Sequence, residues 1–103
     1  MKTFKAKRIE IMIESVMERR LTDALAKAGV KGYTILPVLG GSGRAGRWSR
    51  EGQVSRAAGM VAIVCILKYD SAEKVLDTVF GIVDRHNGVV CVTECEIVRA
   101  DRF

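Results

Sequence analysis

Residues 40–57 read GGSGRAGRWSREGQVSRA, and they hold most of what could do chemistry in this chain. The segment carries five glycines (40, 41, 43, 46 and 52), four arginines (Arg44, Arg47, Arg50 and Arg56), the only tryptophan (Trp48) and one carboxylate, Glu51. Arginine presents a planar fork of donors that matches phosphate or carboxylate. Glycine permits backbone conformations closed to other residues and lets the chain approach a ligand closely. Successive backbone N–H groups in a glycine-rich turn form an anion-binding nest. Arg44, Arg47 and Arg50 recur every third residue, so convergence on an anion is the sharp reading and a solvated basic loop is the plain one. Four arginines among five glycines tip the reading towards anion, and specifically nucleotide, binding.

Two familiar phosphate motifs are approached and missed. Gly41-Ser42-Gly43-Arg44-Ala45-Gly46 fits G-x-G-x-x-G after an apolar run, but a dinucleotide fingerprint needs a helix to open there. Gly52 interrupts residues 47–58, Trp48 and Val54 share no stripe with Ala45, and the chain is too short for a doubly wound domain. Gly41 and Gly46 have the spacing of a P-loop, yet Arg47 and Trp48 stand where lysine and a magnesium-binding hydroxyl are required.

The remaining reactive side chains point away from catalysis. His86 is the only histidine, placed near a predicted helix C-terminus where a dipole partner suffices to explain it. No serine, cysteine or carboxylate has a base at local spacing, and no second histidine exists for a metal site, so neither an enzyme nor a prosthetic group is expected. Cys91 and Cys95 fall in a predicted strand, where i and i+4 share a face but lie roughly 13 Å apart, too far for a disulfide or a shared zinc. With Cys65 they read as small buried hydrophobes in a reducing compartment.

The elements that must position the arginine segment follow from hydrophobic period. With 103 residues, the expectation is one domain, residues 1–103. Ile9, Ile11 and Ile13 alternate with polar or flexible neighbours, a half-buried strand. Ser15 and Glu18 have capping-box spacing, predicting a helix from Val16 with Met17, Leu21, Ala24, Leu25 and Ala28 on one face and Gly29 at its end. Residues 33–39 make a second strand, with Pro37 marking an edge or a bulge near its end. After the arginine segment, residues 60–69 form a third, nearly continuous apolar strand. Ser71 and Glu73 suit a second helix N-terminus, with the stripe Val75, Leu76, Val79, Phe80 and Val83. Asn87-Gly88 breaks that helix before a fourth strand over residues 89–98.

The order β-α-β-β-α-β is that of a ferredoxin-like α+β sandwich, with a long loop between its second and third strands. Helices cover one sheet face. The other keeps apolar side chains, and in a chain this short another subunit is the expected cover. A formal charge of +5 and a pI of about 9.4 favour anionic partners broadly. No apolar run nears the ~20 residues of a membrane span, and the basic start leads into an alternating strand, so membrane insertion and a signal peptide are not expected and the cytoplasm is. An RNA-recognition module of this topology stacks bases on aromatics in its central strands. Ile9, Ile11, Ile13, Val61, Ile63 and Cys65 offer none.

The run KGYTILPVLGGSGRAGRWSREGQ, set between a helix and a second βαβ half, resembles the PII-like signalling proteins. The likeness is greatest to the SbtB-type and carboxysome-associated PII members and spans roughly residues 7–98. It implies a homotrimer of ferredoxin-like subunits with three intersubunit clefts, where the long loop and the short turn before the last strand close over an adenine nucleotide. By that resemblance Thr34 lies near the adenine, and Gly41, Gly43 and Arg44 form the phosphate-side loop base. Asn87, Gly88 and Val89 form the short turn, Arg102 is a basic tail residue on the phosphates, and Arg47 matches an SbtB-type loop position. The TGxxGDGK turn of PII proper is reduced here to His86-Asn87-Gly88-Val89. Ala45 replaces the glutamine that helps hold magnesium with ATP and 2-oxoglutarate, the loop has no tyrosine for uridylylation, and the CGPEGC tail is missing. These departures favour ADP or AMP over Mg-ATP, with bicarbonate as a coupled ligand in inorganic-carbon regulation. The resemblance also implies docking of residues 40–57 on a partner such as a bicarbonate transporter or a carboxysome-related protein. A basic nucleic-acid-binding domain and a ligand-free docking scaffold stand as the alternatives.

Overall fold

The computed structural model describes residues 1–43, 46–49 and 59–98, with backbone alone for 46–49. Strand β1 (Phe4–Glu14) leads through a 3-10 turn (Ser15–Met17) into α1 (Glu18–Lys27), followed by β2 (Thr34–Pro37). A ribbon of β3 (Gly40–Gly43) and β4 (Gly46–Ser49) comes next, then β5 (Met60–Lys68), a second 3-10 turn (Tyr69–Ser71), α2 (Ala72–Val83) and β6 (Val89–Ile97). The main sheet has the order β2-β5-β1-β6, with every neighbouring pair antiparallel. This is the ferredoxin-like topology expected from the order of periods, with β5 and β6 as the predicted third and fourth strands.

Register explains the core. Ile9, Ile11 and Ile13 sit opposite Cys65, Ile63 and Val61. Directly paired side chains share a face, and all six are buried with Leu21, Leu25, Val75, Val79 and Val83 from the two helices. The opposite face pairs Met12 with Ala62 and Val89, Glu10 with Val64 and Cys91, and Arg8 with Ile66 and Thr93. Several of its apolar members stay open, with Ile66 and Leu36 each 42% exposed and Val89 65%, while Ala6 and Ala62 are buried. Arg8 Nη1 meets Glu10 Oε2 at 3.3 Å in the middle of that face.

Helix α1 ends as its sequence requires. Gly29 takes a φ of 94°, and the Val30 N–H reaches back to the Leu25 carbonyl at 3.0 Å, closing a Schellman turn. Its start differs from expectation. Ser15 lies in the 3-10 turn rather than capping, no side chain caps either helix, and α1 begins at Glu18. The cause is the β1 ladder, which continues into Ser15 through its N–H to the Gly59 carbonyl at 2.8 Å. Phe80, expected in the α2 stripe, is 61% exposed, because Val75, Val79 and Val83 already fill the face on the sheet.

Candidate functional site

The predicted anion loop is partly a ribbon. Gly40 pairs with Ser49, Gly41 with Trp48, Ser42 with Arg47 and Gly43 with Gly46. Its backbone pairing needs no apolar alternation, and glycine supplies backbone hydrogen bonds as well as any residue, so the sequence period did not mark it. No Cβ at Gly43 would meet anything within 4 Å. Arg44 and Arg102 lie outside the described residues, as do Arg50 and Arg56, and Arg47 is placed only by its backbone.

A notch opens at the β2 edge of the sheet. Pairing between β2 and β5 stops at Thr34–Val64, while β5 runs on to Lys68. Residues 29–33 loop round this gap, leaving a cavity of about 560 Å³ lined by Lys31, Gly32, Tyr33, Thr34, Val64 and Ile66 among others. That lies within the ~300–1,000 Å³ typical of small-ligand pockets. On the notch side the backbone of β5 beyond Val64 has no strand partner among the described residues, so its N–H and C=O groups offer hydrogen bonds as an exposed edge does. Cys65 also lines the notch, and burial pushes its thiol pKa up.

The turn before β6 sits on the other edge and is held from three sides. The His86 N–H donates to the Val83 carbonyl at 3.0 Å, and the Asn87 N–H donates to Glu14 Oε1 at 3.4 Å. His86 Nδ1 stands 3.7 Å from the same oxygen. The histidine thus faces the end of β1, besides lying near the helix end where sequence placed it. Gly88 fills a slot in which a Cβ would come within 2.8 Å of Val83 Cγ1 and 3.2 Å of the Met12 carbonyl. At the far end of the sheet, Tyr69 donates to Glu94 Oε1 at 3.1 Å, and Lys7 Nζ lies 4.7 Å from the Tyr69 ring centre.

Of the sequence-predicted residues, Asn87, Gly88 and Val89 stand together, and β2 runs towards the same end of the sheet before Gly41 and Gly43 follow in the ribbon. Thr34 does not join them. It lies three residues of register and three strand spacings from Gly88, roughly 17 Å at ~3.3 Å per residue and ~4.8 Å per strand. Strands β5 and β1 lie between. Val64, Ile66, Gly32 and Tyr33 went unread as notch residues, because a strand beginning at 33 would have covered part of that edge; Lys31-Gly32 was the available signal. Cys65 is buried, but Cys91 is exposed and Cys95 half-buried, and all three are free thiols. The expectation of three buried cysteines fails because β6 is an edge strand whose Cys91 and Cys95 face the uncovered side. Among the described residues no cluster suits a metal ion, and no helix is long and apolar enough to cross a membrane.

The family model of the nitrogen regulatory protein P-II matches residues 6–102. No curated protein sequence matches the chain. Among solved structures, CPII, a nitrogen regulatory PII-like protein from Thiomonas intermedia K12 bound to ADP, AMP and bicarbonate, superposes with a TM-score of 0.89 at 28% identity, covering 99% of this chain and 96% of that one. The same protein bound to ADP and bicarbonate gives 0.84 at 30% identity over 99% and 97%. A protein of Thermus thermophilus described as a PII-like signalling protein shares the fold, with a TM-score of 0.81 at 23% identity over 100% and 99%.

Proposed function

The chain belongs to the P-II family, and from that membership we propose that it is a non-enzymatic regulator binding ADP or AMP between the subunits of a homotrimer, with bicarbonate as a coupled ligand. The observation that carries this reading is the separation of the half-sites. The notch with Thr34 opens on the β2 edge, and the turn with Asn87, Gly88 and Val89 sits on the β6 edge. A ligand in the notch cannot touch the turn of its own copy, but a neighbour set head to tail can bring its turn and ribbon to that notch. Such a contact is heterologous, and three copies close it into a ring. The open face with Leu36, Ile66 and Val89 then has its cover.

In the assembled site Thr34 and the free β5 edge take the adenine, while Gly41, Gly43 and Arg44 of the neighbour, with its Asn87–Val89 turn, take the phosphates. Arg47 and Arg102 add positive charge. Residues 40–57 carry four arginines against one carboxylate, an excess that a nucleotide diphosphate only partly neutralises, leaving room for a small anion such as bicarbonate. CPII from Thiomonas intermedia binds both kinds of ligand, which supports the pairing here. By the same reading the whole chain is one domain, acts in the cytoplasm in inorganic-carbon regulation, and uses residues 40–57 to dock on a bicarbonate transporter or carboxysome-related protein.

Calorimetry with ADP and AMP, with and without bicarbonate at matched pH and ionic strength and with chloride as control, tests the ligands. The expected coupling is about 1–3 kcal/mol and reciprocal. An ADP affinity indifferent to bicarbonate rejects the coupling and leaves nucleotide binding standing. A stable monomer in sedimentation rejects the intersubunit site. Oligonucleotide binding with a steep salt slope and no nucleotide saturation would replace the reading with the nucleic-acid one.

A further inference from the structure

The turn before β6 is short and exposed, yet one side chain from another element reaches into it. Glu14, the last residue of β1, aims Oε1 at the Asn87 N–H, at 3.4 Å, and at His86 Nδ1, at 3.7 Å. On the strand side Val89 already pairs with Met12, while on the helix side the ties of the turn are local. Arg85 N–H and His86 N–H donate to the carbonyls of Ile82 and Val83 at 3.3 and 3.0 Å, which only finishes the helix. Glu14 itself stands on fixed ground. Its backbone pairs with Met60, and the next residue donates its N–H to the Gly59 carbonyl at 2.8 Å. The carboxylate therefore transmits the position of a central strand to an edge turn.

We propose that Glu14 is the positioning residue of the phosphate-side turn, holding the Asn87 backbone in the orientation that the ligand meets. This rests on the nucleotide reading above and extends it to a residue that touches no ligand. A carboxylate accepting an N–H is a charge-assisted bond. At 3.4 Å it lies beyond the ~2.7–3.2 Å usual for N–H···O, so its contribution is modest. Without it the Asn87 N–H turns to water, the turn samples more conformers, and binding must bear their ordering.

The test uses the full chain with ADP as probe and two readouts. Glu14→Ala should weaken ADP binding about 3- to 10-fold, the range for a long, partly exposed charged hydrogen bond, while Glu14→Gln, which keeps an acceptor oxygen, should stay within about twofold. In the ligand-free protein, amide hydrogen exchange at Asn87 should accelerate in Glu14→Ala and not in Glu14→Gln, with the Ser15 amide protected in both as the sign that β1 is intact. Should Glu14→Ala lose its fold, Glu14→Asp, one methylene too short to reach Asn87, makes the same comparison. Unchanged exchange at Asn87 in the truncated variant, or a Glu14→Gln variant as impaired as Glu14→Ala, overturns the assignment. If the parent chain binds neither ADP nor AMP, the nucleotide reading fails by itself, and exchange at Asn87 still decides whether Glu14 holds the turn.

Discussion

Adding one methyl group at two glycines should move stability in opposite directions. At Gly88 a Cβ would stand 2.8 Å from Val83 Cγ1, 3.2 Å from the Met12 carbonyl oxygen and 3.5 Å from Ile13 Cγ1. None of the three can retreat easily. Val83 is buried and β-branched, so its χ1 is stiff. Ile13 is fully buried, and the Met12 carbonyl belongs to a strand paired on both sides. Overpacking of this kind typically costs about 1–3 kcal/mol, so Gly88→Ala should be destabilised by that amount. For a domain near this size that is roughly 4–20 °C in Tm. At Gly81, inside α2, the same methyl meets nothing within 4 Å. There alanine removes the helix penalty of glycine, and Gly81→Ala should gain about 0.5–1 kcal/mol, the lower figure if the last turn frays. Urea denaturation at one fixed protein concentration reads both, as a shift of midpoint without a change of slope. A Gly88→Ala variant as stable as the parent would refute the close packing of the turn, and a destabilised Gly81→Ala would refute the open helix face.

Three further outcomes follow from the site and its surroundings. Arg44→Ala should weaken ADP or bicarbonate binding by roughly 1.5–3 kcal/mol, the worth of a charge-assisted hydrogen bond in a shielded cleft, and Arg50→Ala by much less; equal losses by calorimetry would mean a diffuse basic patch. Because burial raises the pKa of Cys65, its alkylation should lag behind that of exposed Cys91 at mildly alkaline pH, as peptide mapping would show. The folded state holds that proton more tightly, so the associated stability is fully present below the ordinary thiol pKa and is lost as pH rises from there through the raised pKa of the folded state. The hydrogen bond to Glu94 and that carboxylate's charge raise the pKa of Tyr69; Glu94→Gln should bring its titration down in a Tyr33→Phe background read by ultraviolet absorbance, and an unmoved curve would refute the pairing.

Much of the fold was legible because its signals are local. The alternation of Ile9, Ile11 and Ile13 is set by neighbours two residues apart, as is the apolar run of β5. The stripe Met17, Leu21 and Leu25 and the stop at Gly29 are set by neighbours within one or two helical turns. Their order alone implied the sheet, and the residue types of 40–57 alone implied an anion. The open face was legible too, since β5 leaves few polar positions for it.

Tertiary structure decided what depends on residues far apart in the chain. The β1 ladder, drawing Ser15 to Gly59, set the start of α1. Two buried valines on either side of Phe80 left that ring outside. Register and strand order put Thr34 and Gly88 on opposite edges, and the short pairing of β2 opened the notch between Gly32 and Ile66. Gly88 is tight only because Val83 and Met12 arrive beside it, and Glu14 reaches Asn87 across 73 residues of chain. Periodicity reports which way a side chain points within its own element. What stands opposite that side chain is set by chain reversal and strand register, which bring together residues that share no local pattern.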